Sequence, residues 1–263
     1  MAAVGVTEQV YESAVTSPIM RLVALTGLTV AHIHHIVDQL DRGTGPGRPW
    51  ALPLASRVVL TTAALRTNLT VRQLAAVFDI SKSQVHRIIT DLSPRLSGLL
   101  DDTIDADRRW SWTVDGTLIP TRDKTVAGKS KNYRYSTNAQ VLSRRSDLLV
   151  IAVHGGGAGN RNDTIHYRDT DLQQRCIEHG RVYADGGYRG IAELHTPTFA
   201  GGRIVRDAAW RRHRRRRARA EHCIARLKDW TVLRDHRRRG HHLSDTLRAV
   251  AYLHNLRILT RRP

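Results

Sequence analysis

The stretch RVYADGGYRG, residues 181–190, places one aspartate at the end of a short apolar run, directly before two glycines and a tyrosine. Asp-Gly is a common turn pair, so Asp185 has an ordinary reading as turn chemistry. It has a second reading as one member of a metal site whose other members lie far away in sequence. Which reading applies depends on what kind of chain surrounds it.

The chain has 263 residues, enough for one large domain or two modest ones, and its 41% hydrophobic content supports a packed core. No apolar run approaches the roughly 20 residues of a membrane span. The segment MAAVGVTEQVYESAVTS lacks a basic flank followed by an apolar core, so no secretion signal is expected. Cys176 and Cys223 share no CxxC spacing, which argues against a disulfide framework and for a reducing, cytoplasmic setting. Net charge is +18, and residues 203–263 hold 19 Lys+Arg against 5 Asp+Glu, a net of +14. A basic surface of this kind concentrates polyanions, of which DNA and RNA are the usual ones. An Arg-rich coding bias accounts for Arg over Lys, but not for the shortage of acids.

Texture changes along the chain. Residues 8–40 and 55–67 carry apolar residues at helical spacing, and residues 41–50, with three Gly and two Pro, form a loop. NLTVRQLAAVFDISKSQVHRIITDLSPRL, residues 68–96, reads as a helix, a turn around Asp79–Ser81 and a second helix to about Leu92, ended by Pro94. After about residue 108 come short β-rich runs. Three consecutive strands are expected at 111–119, 135–143 and 147–154, a fourth at RVYAD and a fifth at 201–206. A helix over 163–180, capped by Asp163 and ended by Gly180, a long helix from Asp207 and a closing helix over 243–259 complete the pattern. The expected fold is α+β. A helical domain (1–100) with a helix-turn-helix at about 68–92 precedes an α/β domain (108–263) with a mixed five-stranded sheet.

In the helix-turn-helix, Leu74, Ala75 and Phe78 form one inward face, and Val85, Ile88, Ile89 and Leu92 the other. Lys82, Ser83, Gln84, His86 and Arg87 are left outward at the start of the second helix. In such a motif this end enters the major groove, where Gln suits adenine and Arg suits guanine. A plain helical hairpin is the bland alternative.

Three acids then stand out. Asp115 lies near the end of the first strand in WTVDGTLI, Asp185 ends the fourth, and Glu221 is the lone acid among the 21 residues from Ala208 to Lys228. At 100° per residue, Arg217, Glu221 and Lys228 fall within roughly 40° of one helix face. Each acid alone reads blandly, as a strand end, a turn and a solvated helix surface. Asp on two neighbouring strands opposed by Glu from a helix is the layout of a two-metal phosphoryl-transfer site. Hard Mg²⁺ or Mn²⁺ prefers carboxylate oxygens, and two ions roughly 4 Å apart can serve an in-line displacement.

These segments resemble a bacterial insertion-sequence DDE transposase with an RNase H-like catalytic domain, of the group related to Harbinger-type elements. VDGT resembles the strand with the family's first Asp, ADGGY fits its Asp-x-Gly-Tyr motif, and RARAEHCIARLK fits Arg-x₃-Glu-x₆-Lys with Arg217, Glu221 and Lys228 in place. Thirty-five residues separate Asp185 from Glu221, a family spacing. TNLTVRQLAAVFDISKSQVHRII resembles the helix-turn-helix that precedes such domains. One departure is Arg214, where related signatures place a Tyr that contacts DNA backbone.

The resemblance implies Asp115, Asp185 and Glu221 as catalytic residues and ligands of two Mg²⁺ or Mn²⁺ ions, and Arg217 and Lys228 as phosphate contacts. It implies terminal inverted repeats and target DNA as partners, a dimer or larger synaptic assembly, and a nucleoid-associated, cytoplasmic protein. Asp163, in GNRNDT, reads first as a helix cap and second as an accessory to the site. A DNA-binding regulator that no longer cuts, and a nuclease of the same fold without strand transfer, are the rival readings.

Other motifs carry less. AGKS, residues 127–130, lacks the Gly at position 123 that a phosphate loop requires, and Asp123 stands there, so ATP binding is set aside. The His clusters at 32–35 and 241–242 lack partners for a zinc site. Trp110, Trp112 and Trp230 read as core or sheet-edge packing, with Trp230 near enough to Glu221 to touch DNA.

Overall fold

The computed structural model describes residues 18–40, 49–101, 109–168 and 170–260. The expected helical segment 8–17, and most of the loop at 41–50, lie outside the described residues. The chain divides into two compact units, Met1–Leu96 with Trp230–Val232, and Ser97–Asp229 with Leu233–Pro263.

In the first unit, a 3-10 segment Pro18–Thr26 is followed by α1 (Val30–Leu40), α2 (Leu54–Thr67), α3 (Val71–Phe78) and α4 (Lys82–Gly98). The expected continuous helix to residue 40 is broken at Gly27, whose φ of 67° suits glycine. Thr26 and Thr29 fix the break: Thr26 Oγ1 accepts from Leu28 N at 3.0 Å and Thr29 Oγ1 from His32 N at 3.2 Å. α2 is buried on all sides from Ser56 to Leu65, so it is the centre of the unit. Its Arg57 is 6% exposed, lies 4.6 Å from the Trp50 ring and is 3.8 Å from Asp91.

α3 and α4 form the helix-turn-helix. Thr70 and Gln73 make a capping box at the start of α3, and Asp79 ends that helix in the left-handed region. Ser81 and Gln84 repeat the reciprocal arrangement before α4, with bonds of 3.1 and 3.2 Å. Leu74, Phe78, Val85, Ile88, Ile89 and Leu92 are buried as the spacing demands. Pro94 does not end the second helix, which runs on to Gly98. An interior proline costs about 3 kcal/mol. Burial of Leu92 and Leu96 on the opposite side offsets it, each contributing about 1.5–3 kcal/mol, while Pro94 itself is exposed.

The second unit is built on a mixed five-stranded sheet of order β3-β2-β1-β4-β5. β1 (Trp112–Pro120), β2 (Ser136–Arg144) and β3 (Val150–Ala158) form an antiparallel meander, and β4 (Val182–Tyr183) and β5 (Leu194–His195) run parallel to β1 and β4. The fifth strand is therefore 194–195 and not 201–206. Gly201 and Gly202, both at positive φ, instead close a hairpin between β6 (Phe199–Ala200) and β7 (Arg203–Ile204). The expected helix at 163–180 is two helices, α5 (Asp163–Arg168) and α6 (Leu172–His179), ended by Gly180 at φ 75°.

One face of the sheet meets α5 and α6 through a core that includes Val114, Leu142, Tyr167, Cys176, Val182, Ala184 and Tyr188. The other face carries α7 (Ala208–Lys228) and α8 (Leu243–Leu259). α7 is capped by Asp207, whose side chain accepts from Trp210 N at 2.7 Å. Along the β3 edge, Asn255 of α8 pairs with Val150 in both directions, at 2.8 Å each. Trp230 is fully buried in the first unit, with the Arg66 guanidinium 5.5 Å from its ring centre, whereas Trp110 is 46% exposed.

Two histidines of the second unit give it an acid limit. Burial pushes His236 and His254 down to about 4, and His254 Nε2 donates to Leu148 O at 2.8 Å. Between pH 6.5 and 4 the unfolded chain holds these protons and the folded one does not. Stability should therefore fall as pH drops through that window, by roughly 3 kcal/mol per histidine at its limit. Thermal unfolding at successive pH values checks this. His254→Gln should flatten the dependence, and an unfolding midpoint constant from pH 7 to 4.5 would contradict it.

Candidate active site

The parallel pairing of β1 with β4 matches Thr113 with Tyr183. Side chains alternate along strands, so the register continued by two residues sets Asp115 beside Asp185 on one face. α7 lies on that face. Tyr183, of the same parity as Asp185, meets His213 of α7 at 5.8 Å and the Arg216 guanidinium at 5.0 Å. Arg217 reaches Asp115, with Nη1 3.6 Å from Oδ2, and also donates through Nη2 to Glu221 Oε1. One guanidinium thus joins the strand acid to the helix acid, four residues apart from its own helical partner.

The electrostatics follow from this crowding. The Asp115 side chain is 14% exposed. Burial, and then the nearby Asp185 carboxylate, push its carboxyl up to about 7, with Arg217 opposing the rise and Asp163 adding to it. Gly116 N donates to Asp115 Oδ1 at 3.0 Å. Asp185 also performs the turn chemistry that its sequence suggested. Its Oδ1 accepts from Gly187 N at 2.7 Å and caps the short turn Gly186–Tyr188. The turn reading of Asp185 thus holds, and the same carboxylate lies close enough to Asp115 to raise its pKa. Neither glycine is at positive φ. A Cβ at Gly187 would lie 2.8 Å from Asp185 Oδ1 and would push that carboxylate from its present position.

Asp163 does not cap its helix. Asn162 Oδ1 accepts from Thr164 N at 3.0 Å instead. Asp163 Oδ1 turns to the sheet and accepts from Asn138 Nδ2 at 2.6 Å and from Gln140 Nε2 at 3.2 Å. Gln140 Oε1 in turn accepts from the buried Tyr188 hydroxyl. Gln140 is paired with Gly116, one residue from Asp115, so this network lies on the opposite face from the other three acids. It runs across Gly116 so closely that a Cβ there would lie 2.3 Å from Asp163 Oδ1. The Gly of VDGT and the Tyr of DGGY thus have one physical cause.

The donor set, carboxylate oxygens, suits a hard divalent cation. The Arg217 guanidinium stands where positive charge is needed. Among the described residues no three acids, His or Cys come together closely enough to hold a metal ion unaided. Glu221 is 54% exposed and turned toward Arg217. Lys228 Nζ donates to Leu118 O at 3.1 Å, and burial lowers its pKa.

On the helix-turn-helix, Lys82, Ser83, His86 and Arg87 are exposed. Gln84 is half-buried and engaged in the Ser81 cap, and the Arg87 guanidinium lies 4.0 Å from the Trp50 ring. Trp50, Asn138 and Gln140 escaped the sequence reading, and Tyr188 figures there only as part of the ADGGY motif. A signal for two of them existed, in that β2 buries polar Asn138 and Gln140 on a central strand.

Gly116→Ala should destabilise the protein by about 1–3 kcal/mol through overpacking. In a Gly116→Ala/Asp163→Ala double variant part of that loss should return, because the clashing carboxylate is gone. Thermal unfolding of the four proteins measures the coupling, and strict additivity would disprove the contact.

Comparisons with known proteins place the chain in a family. The family model for the helix-turn-helix of DDE superfamily endonuclease matches residues 50–101, and that for DDE superfamily endonuclease matches residues 114–255, from the first strand to the last helix. A protein of Streptomyces albus G named "Putative transposase for insertion sequence element IS112" is 41% identical over 219 residues, which cover 80% of this chain and 82% of the relative. No solved structure matches the chain. A sheet that pairs two aspartates and faces a helix bearing the third acid, preceded by a helix-turn-helix, is accordingly no isolated design: the chain belongs to the DDE-superfamily transposases of insertion sequences.

Proposed function

We propose that this protein cuts the ends of an insertion sequence and joins them to target DNA, using Asp115, Asp185 and Glu221. The observation that carries the reading is the β1–β4 register, which sets two carboxylates side by side under the helix that holds the third. These three residues would hold two divalent ions, Mg²⁺ or Mn²⁺, which when bound supply activation of a water oxygen and stabilisation of the leaving oxygen. In the first step water attacks phosphorus and the bond to the 3′ oxygen breaks, leaving a 3′-OH and a 5′-phosphate. In the second, the freed 3′-OH attacks a phosphodiester of target DNA, which releases a new 3′-OH there.

The chain's own residues prepare these steps. Asp115 must shed its proton to serve as a ligand, and added positive charge lowers its pKa. Arg217 holds Glu221 and can pass to a phosphate oxygen when Glu221 turns to its ligand role; Lys228 contacts phosphate in the same way. The Asp163–Gln140–Tyr188 network acts as a positioning device for the turn that carries Asp185. The helix-turn-helix reads the terminal inverted repeats, with Gln84 and Arg87 drawn from their Ser81 and Trp50 contacts to base edges. Two ends must be held together for joining, so the working assembly is a dimer or larger. No helix among the described residues is long and apolar enough to cross a membrane.

Two experiments test the reading. Asp115→Asn, Asp185→Asn and Glu221→Gln should each abolish cleavage in Mg²⁺ and Mn²⁺ while binding to the element ends persists without metal. Substantial cutting by Asp185→Asn would remove that residue from the site. Replacing Gln84 or Arg87 by Ala should weaken binding to the ends by roughly 1–3 kcal/mol per lost base contact, and binding to random DNA much less. Equal losses on both DNAs would assign these residues to the backbone alone.

A further inference from the structure

Beyond the carboxylates, the second unit carries a cleft of about 440 Å³ lined by Arg122, Arg237, Arg238 and Arg239, with Asp123 and His241 at its wall. The three consecutive arginines sit on a loop that is stitched to the end of β1. Thr121 and His236 form a parallel bridge, His236 N donates to Pro120 O at 2.8 Å, and Arg122 N donates to His236 O at 3.1 Å. Asp235 takes Arg122 at 3.2 and 2.8 Å and Arg237 at 2.9 Å, which fixes both guanidinium groups in place. Four arginines face two aspartates here, so the cleft keeps a net positive charge after its internal pairs are made.

The cleft is also in line with the active site. Arg217 stands at Asp115, Lys228 bonds Leu118 O three residues on, Arg234 Nε donates to Lys228 O at 2.5 Å, and Arg122 follows the end of β1. Cations thus recur along one strand direction, from the acids to the cleft. Seven residues of extended chain span about 23 Å at roughly 3.3 Å each. Phosphates of one DNA strand advance about 3.4 Å along the axis per base pair.

We propose that this cleft is a second DNA site, which grips the phosphate backbone of the duplex about seven base pairs from the bond that is cut. The inference rests on the reading of the carboxylates as a DNA-cutting site, and it gives that site a fixed path for the flanking duplex. Arg237 and Arg239 supply the phosphate contacts: both are exposed, Arg237 exchanges its bond to Asp235 for a phosphate oxygen, Arg122 is held by Asp235 through two bonds, and Arg238 is half-buried.

Binding is measured with the full chain without metal, so that the DNA stays intact. On a random-sequence duplex, Arg237→Ala/Arg239→Ala should lower the slope of log affinity against log salt by about 1.8, at roughly 0.9 per phosphate contact. On the element's own terminal DNA, phosphate-ethylation interference should vanish near the seventh base pair from the cut mapped with wild-type protein in Mg²⁺. Interference at the helix-turn-helix positions should remain. An unchanged slope with a native unfolding midpoint overturns the proposal. So does weakened binding of inorganic triphosphate with an unmoved interference pattern, which would mark a small-anion site. If the double variant fails to fold, Arg239→Gln alone should lower the slope by about 0.9. A wild-type protein that cuts no DNA yet loses slope in the variant would sink the cleavage reading and leave the cleft. Cutting with an unchanged slope would do the reverse.

Discussion

Like charge forced together is the constraint around which the catalytic unit is organised. The parallel β1–β4 register sets Asp115 against Asp185, and burial removes the water that would soften their repulsion. A sheet gains nothing in stability from such a pair. It persists because the surrounding backbone is over-determined by the long β1–β2 ladder, the core beneath Val114 and Val182, and the cap that Asp185 makes with Gly187. Under the proposed function the pair is repulsion retained for chemistry, and Arg217 supplies positive charge beside it.

The same constraint explains the division of labour between the two sheet faces. The face under α7 carries the acids and the cations that answer them. The opposite face carries a neutral-to-anionic hydrogen-bond network, in which Tyr188, Gln140, Asn138 and Asp163 are mutually satisfied. Buried polar groups of this kind are tolerated when every member has a partner, and they then specify one arrangement. Their arrangement fixes the loop after Asp185 from behind, where it does not compete for the space above the carboxylates. Gly116 lies between the two systems, and its missing side chain lets them approach.

The helix-turn-helix shows a related economy. Gln84 and Arg87 stand at the exposed start of α4, yet each already has a partner within the first unit, Ser81 and Trp50. A side chain held in a defined rotamer loses less freedom on binding than a loose one, provided its partner can be exchanged. Base contacts would then come from a surface ordered in advance.

Much of this molecule was legible in one dimension. The buried faces of α3 and α4, the three-strand meander and Gly180 as a helix stop follow from periods of 3.6 and 2.0 and from local backbone preferences. The acids of VDGT, ADGGY and the Arg-rich helix stood out because carboxylates at strand ends, and a lone Glu among cations, are chemically conspicuous. Local rules failed where a distant partner decided. Pro94 stays helical because Leu92 and Leu96 are buried behind it, and the fifth strand is a two-residue piece that exists only by pairing with β4. Asp163 looked like a cap because its neighbours are turn formers, but Asn138 and Gln140, 25 and 23 residues away, draw it to the sheet. Which face each acid occupies, and which cation stands between them, is set by strand register and by the placement of α7. Both depend on contacts between residues far apart in the chain, so no local period encodes them.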